Sequence, residues 1–306
     1  MRLTVVFFAL LLVCSFVLGA VPLVPQDEEG VRGAFLTSRP KEKPASANTD
    51  APAAKPNRRR PKSTVASNTS KTSTGTTSSN PNTNKGTTSD SRPMAVNVQR
   101  IGIGLTLFMR DANGLAIRTD PSHVFHKGDR VRVLLETNAD GYLYIFNTTN
   151  DGPPILIYPD AQLDDAGNYL QAHVPFEIPS SMADQERLRW LAFDEYAGAE
   201  KLFFVFSREP LKGVPIEDEL IAYCKESAAA CPVRPSAEVW AAVQKEMKEP
   251  LETDKSARYG RTQTASEQTA STRGLGLSKE DPQPSLIMMA SSTSSTLVTT
   301  LDLVHK

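Results

Sequence analysis

Apolar and polar positions begin to alternate near Val98, and that period of two recurs as far as Ser207, as expected for strands with at least one buried face. Leu105, Leu107 and Met109 point one way, and Asp111-Ala-Asn113-Gly114 then reads as a tight turn because Asn-Gly tolerates positive φ. Val131, Val133 and Leu135 form a half-buried strand, followed by a second hairpin turn at Asn138-Ala-Asp140-Gly141. Tyr142 to Asn147 carries apolar residues on both faces, which predicts a central strand covered on both sides. Asp151-Gly152-Pro153-Pro154 turns the chain into the strand Ile155 to Tyr158. Further strand patterns occupy Val174 to Ile178, Leu188 to Phe193 and Lys201 to Ser207.

After Pro215 the period changes. Good helix formers run from Glu217 to Ala229 with Leu220, Ile221 and Cys224 on one side. A second helix over Ala237 to Lys248 is capped by Ser236 and spaces Trp240, Val243 and Met247 at three and four. Pattern is lost from Glu252 to Gln283, and Leu297, Leu301 and Leu303 then alternate as a returning strand or a frayed tail. The fold class expected is mainly β: an antiparallel β-sandwich or partly open barrel with two short C-terminal helices. The boundaries expected are a sandwich over 100–210, a helical extension over 211–250, a disordered loop over 251–295 and a terminal strand over 296–306.

Upstream of the alternation the chain is different in kind. Arg2, the apolar run Val5 to Leu18 and the small residues Gly19 and Ala20 describe a secretory signal peptide over 1–20. That run is shorter than the roughly 20 residues needed to cross a bilayer, so no integral span is expected once the signal is removed. Cys14 follows Val13 rather than a small residue, which favours an ordinary signal-peptide cysteine over a lipidated one. Residues 21–99 are rich in Ser, Thr, Pro, Lys and Arg and bury nothing by pattern, so a disordered linker is expected. As a coil it would spread over roughly 50 Å.

Charge divides unevenly along the chain. Residues 21–99 hold twelve Lys/Arg against six acids, whereas 100–210 hold ten against sixteen. The whole chain is near neutral at −1, which argues against a nucleic-acid partner. The basic cluster Lys55 to Lys62 is either a contact for an anionic surface or plain solvated chain. Three cysteines are too few for a disulfide framework, but Cys224 and Cys231 remain as a pair in an exported chain and are expected to bond.

Residues Val124 to Pro210 resemble a bacterial domain of unknown function, the family numbered 4384. The resemblance is carried by Phe125, Gly128-Asp129-Arg130-Val131, Asp140-Gly141-Tyr142-Leu143-Tyr144-Ile145-Phe146-Asn147, Gly152, Leu156, Tyr158-Pro159 and Phe203 to Ser207. It implies a compact β domain of exported or surface-associated bacterial proteins. It implies no catalytic residue, because the family has none established.

Candidate chemistry is sparse. His123 and His126, with Asp120 and Asp129, are spaced for a metal only if folding brings a third ligand, and surface histidines are the simpler reading. Asp160, Asp164 and Asp165 with Asn168 lack the alternating spacing of a calcium loop. No G-x-S-x-G, H-E-x-x-H or phosphate-cradling sequence occurs, so neither cofactor nor catalysis is expected. Ser38-Arg-Pro-Lys41 matches the S-x-x-K string of penicilloyl enzymes but stands in the leader without companion motifs, and reads as a coincidence.

The function expected is therefore a non-catalytic module, periplasmic, cell-surface or secreted, that binds an envelope protein or glycan. Its contact surface is expected around Tyr158, Asp160, Tyr169, Trp190 and Tyr196, because aromatic rims bind sugars and proteins alike, while Trp190 also fits a core position. The alternatives are an envelope hydrolase using Asp160, Asp164, Asp165, Glu177, Asp194 and Glu195, or an assembly protein pairing through a sheet edge.

Overall fold

Ile101, Ile103, Leu105 and Leu107 leave β1 (Gly102–Arg110) and its start on one face, and Gly102, Gly104, Thr106 and Phe108 leave it on the other. Both faces are covered. The computed structural model describes residues 30–42, 58–61, 99–162, 166–226, 231–256 and 258–306. The signal expected over 1–20 lies outside the described residues, as does most of the linker over 21–99.

β1 is central in the first sheet, which runs β11 (Glu252–Lys255), β12 (Leu286–Met289), β1, β4 (Arg130–Thr137), β8 (Phe176–Ile178). Two short strands flank this path: β2 (Ala116–Arg118) pairs with β1, and β9 (Leu191–Ala192) pairs with β4. The second sheet runs β3 (Val124–Phe125), β13 (Thr296–His305), β10 (Gly198–Ser207), β5 (Gly141–Thr149), β6 (Ile155–Tyr158), with β7 (Tyr169–Leu170) on β5. Every pairing is antiparallel except β13 with β3. The inner faces meet in one core that includes Ile103, Val133, Leu143, Ile145, Phe204, Phe206 and Leu301. No closed barrel forms; the molecule is a two-sheet sandwich.

β5 shows why its sequence is apolar on both faces. Leu143 and Ile145 enter the inter-sheet core, whereas Tyr142, Tyr144 and Phe146 enter a second cluster outside it. That outer cluster is closed by α2 (Glu217–Glu226) and α3 (Ala237–Glu246), through Leu220 and Val243 and the Trp240 ring 4.9 Å from Phe203. Ser236 caps α3 as expected, accepting from Val239 N–H. Cys224 and Cys231 are bonded, tying the end of α2 to the segment whose Val233 carbonyl accepts from Leu156 N–H. The bond closes a separation of seven residues, so the Cys224→Ser, Cys231→Ser double variant is expected to lose about 2–3 kcal/mol, read by urea denaturation.

The outer face of the first sheet is covered by chain that the sequence pattern assigned to disorder. α1 (Val31–Leu36) lies on it and buries Phe35 completely. The ring fits because β1 carries glycines there: a Cβ on Gly102 would stand 2.9 Å from Phe35, and one on Gly104 3.2 Å from it. Arg39 is 2% exposed and grips Glu136 of β4 with both arms, at 2.8 and 2.5 Å. Residues 58–61 dock elsewhere: Arg58 stacks 4.5 Å over Phe176, its carbonyl accepts from Tyr169 N–H, and Arg59 pairs with Asp218. These two pieces of the expected linker are thus parts of the folded body, and the described end of the basic cluster is held by the chain's own surface.

The loop expected over 251–295 is likewise folded, as β11, α4 (Ala265–Arg273) and β12. Its order does not come from an apolar stripe, since α4 buries Glu267, Ala270 and Ser271. Thr264 and Glu267 form a reciprocal capping box, and Glu267 pairs with the buried Arg118 of β2. Ion pairs and caps leave little trace in hydrophobic periodicity.

Two further expectations change. Asn138 to Gly141 is not a hairpin, because β4 and β5 belong to different sheets. Gly141 is required there by close approach, a Cβ falling 2.6 Å from the Ser207 carbonyl oxygen, rather than by positive φ. The strand expected over Leu188 to Phe193 shrinks to β9, preceded by a 3-10 turn at Glu186–Leu188, so the first sheet narrows at that edge.

Candidate functional site

The narrow edge leaves a cleft between the sheets of about 520 Å³. That volume lies in the range of ligand pockets, which are mostly apolar with a few placed polar groups. β6 supplies Ile157, β8 supplies Phe176 and Ile178, β9 supplies Leu191, and β10 supplies Leu202 to an apolar floor. A register shift between Ile145 and Phe146 in the β5–β6 pairing bends this wall. Deeper in, Phe193 stacks 4.7 Å from Phe125 and 5.1 Å from the His305 ring.

Polar groups gather on the strand ends. Glu200 accepts from Asn147 Nδ2 at 3.0 Å and from Thr149 Oγ1 at 2.9 Å. Asn147 Oδ1 is buried and finds no partner among the described residues, so it offers a ligand donor an acceptor already desolvated. Arg187 and Asp160 complete the rim.

Four of the five residues expected at the contact surface line this one cleft: Tyr158, Asp160, Trp190 and Tyr196. Their roles differ. Tyr158 is 2% exposed and its hydroxyl donates to the Gly167 carbonyl, so it is a wall rather than a rim. Trp190 is 8% exposed, and the Arg132 guanidinium covers one side of its ring at 4.1 Å. Tyr196 is 73% exposed and is the free aromatic of the set. Tyr169 is elsewhere: its hydroxyl donates to Asp140, and burial together with that carboxylate pushes its pKa up to about 12.

The four carboxylates suggested for hydrolysis that lie among the described residues are each committed to a neighbour. Glu177 accepts from Gln263 Nε2 at 2.6 Å and lies 3.8 Å from Arg132, whose own pKa is lowered by burial. Asp160 accepts from Gln162 N–H, Asp194 from Tyr196 N–H, and Glu195 from Lys127. Asp164 and Asp165 lie outside the described residues. His123 and His126 are both exposed, His126 standing 4.0 Å from Asp129, and no metal-holding cluster occurs among the described residues.

Sequence reasoning passed over Asn147, Arg187 and Glu200. Asn147 closes the motif Gly141 to Asn147 that carries the family resemblance, which was a usable signal; an isolated Arg and Glu carried none. Residues 124–210 match the family model described as Domain of unknown function (DUF4384). No curated protein and no solved structure gives a match. The matched segment contributes β3 to β10 but neither β1, the central strand of the first sheet, nor β13, which pairs with β10 from Thr296 to His305. The matched segment is therefore less than the folded unit. Among the described residues no helix is long and apolar enough to cross a membrane.

Proposed function

We propose that this chain is an exported binding module whose cleft receives an apolar group carried by an envelope polypeptide. The observation that carries the proposal is the pairing of an apolar floor with a desolvated, unpartnered acceptor at Asn147 Oδ1. A polypeptide meets both demands, a side chain for the floor and a backbone N–H for the acceptor. Binding rather than turnover is favoured because Asp160, Glu177, Asp194 and Glu200 are each engaged by structural hydrogen bonds. Export is supported by the charge, apolar and small-residue order of the first twenty residues and by the Cys224–Cys231 bond, which suits an oxidising compartment. The edge strand β11 presents Glu252 and Lys255, charges that discourage sheet extension, so assembly through that edge is not favoured.

Trp190 provides the test, because the chain has two tryptophans and Trp240 lies in the helical layer. In a Trp240→Phe background, anilinonaphthalene sulfonate and short hydrophobic peptides are expected to change Trp190 emission saturably. Ile157→Phe, which fills the floor, is expected to weaken that binding about tenfold or more, in keeping with the 1–3 kcal/mol cost of overpacking. Emission that responds only to N-acetylglucosamine oligomers assigns the cleft to a glycan, and emission that responds to none of the three removes the proposal.

A further inference from the structure

A second polar assembly lies on the outer face of the first sheet, and none of its residues lines the cleft. His173 Nδ1 is 2.6 Å from Glu136 Oε1, and His173 Nε2 is 2.6 Å from Ser38 Oγ. Burial opposes ionisation of Glu136, but the hydrogen bonds from His173 and Arg39 together outweigh it and hold the carboxyl below its ordinary range. An ionised carboxylate only accepts, so His173 Nδ1 carries the proton toward it. In the neutral ring Nε2 is then an acceptor, and the Ser38 hydroxyl is the donor. The competing acceptors for that hydroxyl, Phe35 O at 3.4 Å and Asn138 O at 3.5 Å, stand at the long limit of a hydrogen bond.

The imidazole is fixed on every side. His173 is 2% exposed, and Phe35 meets its ring edge-on at 5.7 Å. Its φ of 58° is a costly conformation for a residue other than glycine, and such positions gather at functional sites. Two backbone bonds hold it there, from His173 N–H to the Thr137 carbonyl and from Leu277 N–H to the His173 carbonyl. Ser38, by contrast, is exposed. An exposed hydroxyl adds little to docking of the leader, since water can replace it. Next to a buried, oriented base it has the arrangement of an activated nucleophile.

We propose that Ser38, His173 and Glu136 form an acyl-transfer centre for carboxylic esters, with Ser38 as nucleophile, His173 as general base and Glu136 as the positioning residue. Ser38 Oγ bonds to the ester carbonyl carbon while its proton passes to His173 Nε2. Collapse of the tetrahedral oxyanion breaks the bond to the alcohol oxygen, which leaves with that proton. Water then attacks the acyl-serine and gives a proton to Nε2; the carbon–Oγ bond breaks, Oγ recovers the proton, and the acid departs. Gln99 Nε2, bonded to the same Asn138 carbonyl at 3.1 Å, has a second N–H to offer the oxyanion. The nucleophile comes from the leader and the base from the sandwich, so the centre exists only while residues 30–42 are docked. It is independent of the cleft and of the binding reading.

The full chain treated with a fluorophosphonate is expected to form a phosphonyl ester at Ser38, with loss of fluoride, located by mass spectrometry of the peptides. Ser38→Ala, at an exposed position, is expected to keep the melting temperature while losing the adduct, and to slow p-nitrophenyl acetate hydrolysis about 100-fold or more. Glu136→Gln also breaks the pair with Arg39, so hydrogen exchange within 30–42 checks that the leader stays docked; in the docked chain labelling of Ser38 is expected to slow by about 100-fold or more, because the amide misorients the ring. A folded wild-type chain left unlabelled at Ser38, or a Ser38→Ala chain that hydrolyses the ester at the wild-type rate, overturns the proposal.

Discussion

Arg39→Ala is expected to destabilise the docked state by about 3–5 kcal/mol, the usual cost of removing one partner of a buried ion pair. The side chains of Arg39 and Glu136 are 0% and 3% exposed, and Arg39 also donates to the carbonyls of Ser278 and Asp281. With the bond to the Pro282 carbonyl at 3.2 Å, its removal leaves a carboxylate and three carbonyls without that cation. The loss has a ceiling, since residues 30–42 can detach and let water reach Glu136, so the observed cost equals the smaller of the two penalties. Hydrogen exchange within 30–42, compared with exchange in β5, separates local release from global unfolding.

The same pair sets a pH dependence. The folded pKa of Glu136 lies below its ordinary value of 4.5, so the unfolded chain binds the proton more readily. Its contribution is complete above about 4.5 and is lost as the pH falls through the lower folded value. Wild-type stability is expected to drop in that acid window, and the Arg39→Ala profile to be flatter there.

Phe35→Ala is the second large effect, about 3–5 kcal/mol for a fully buried ring. The slot under the ring is made of backbone, because Gly102 and Gly104 bring no side chain, so its walls cannot move in to fill the space. Phe35 also packs with Ile287 and Met289 of β12 and against the His173 ring. Faster protease cleavage near α1, with the two-sheet core still protected, is the expected signature; unchanged cleavage would show that the ring does not hold the leader. The reverse change, Gly104→Val, presses a side chain on Pro284, to which a Cβ would stand only 2.4 Å away, and is expected to release the same segment.

Much of the sandwich is legible as period. β5 declares its two buried faces in the run Tyr142 to Asn147, because a strand's neighbours in sequence point to opposite sides and each side meets its own cluster. Ser236 and the spacing of Trp240 and Val243 announce α3 in the same local way. What failed was inference from composition. Residues 30–42 and 251–295 look poorly apolar, yet they are ordered by a few decisive contacts, Phe35 in a glycine slot, Arg39 on Glu136, and Arg118 on Glu267. Phe35 and Gly102 stand 67 positions apart, Arg39 and Glu136 97, and Arg118 and Glu267 149, so no local window contains both partners.

The candidate sites divide along the same line. Tyr158, Trp190 and Tyr196 were legible as aromatics near turns, although only folding set one as wall, one under Arg132 and one free. Ser38 stands in the leader without companion motifs, so the sequence does not mark it as reactive; His173 arrives from 135 positions away. The sequence alone determined the strand-rich class, the doubly buried β5, the capped helix and the cysteine pair, since each depends on neighbours within a few residues. The tertiary structure alone decided that residues 30–42 and 58–61 are part of the body, that β1 and β13 complete the sheets around the segment matched by the family model, and which polar side chains meet. Hydrogen bonds and ion pairs reach only about 3 Å and depend on direction, so their partners exist only once distant segments have been brought together.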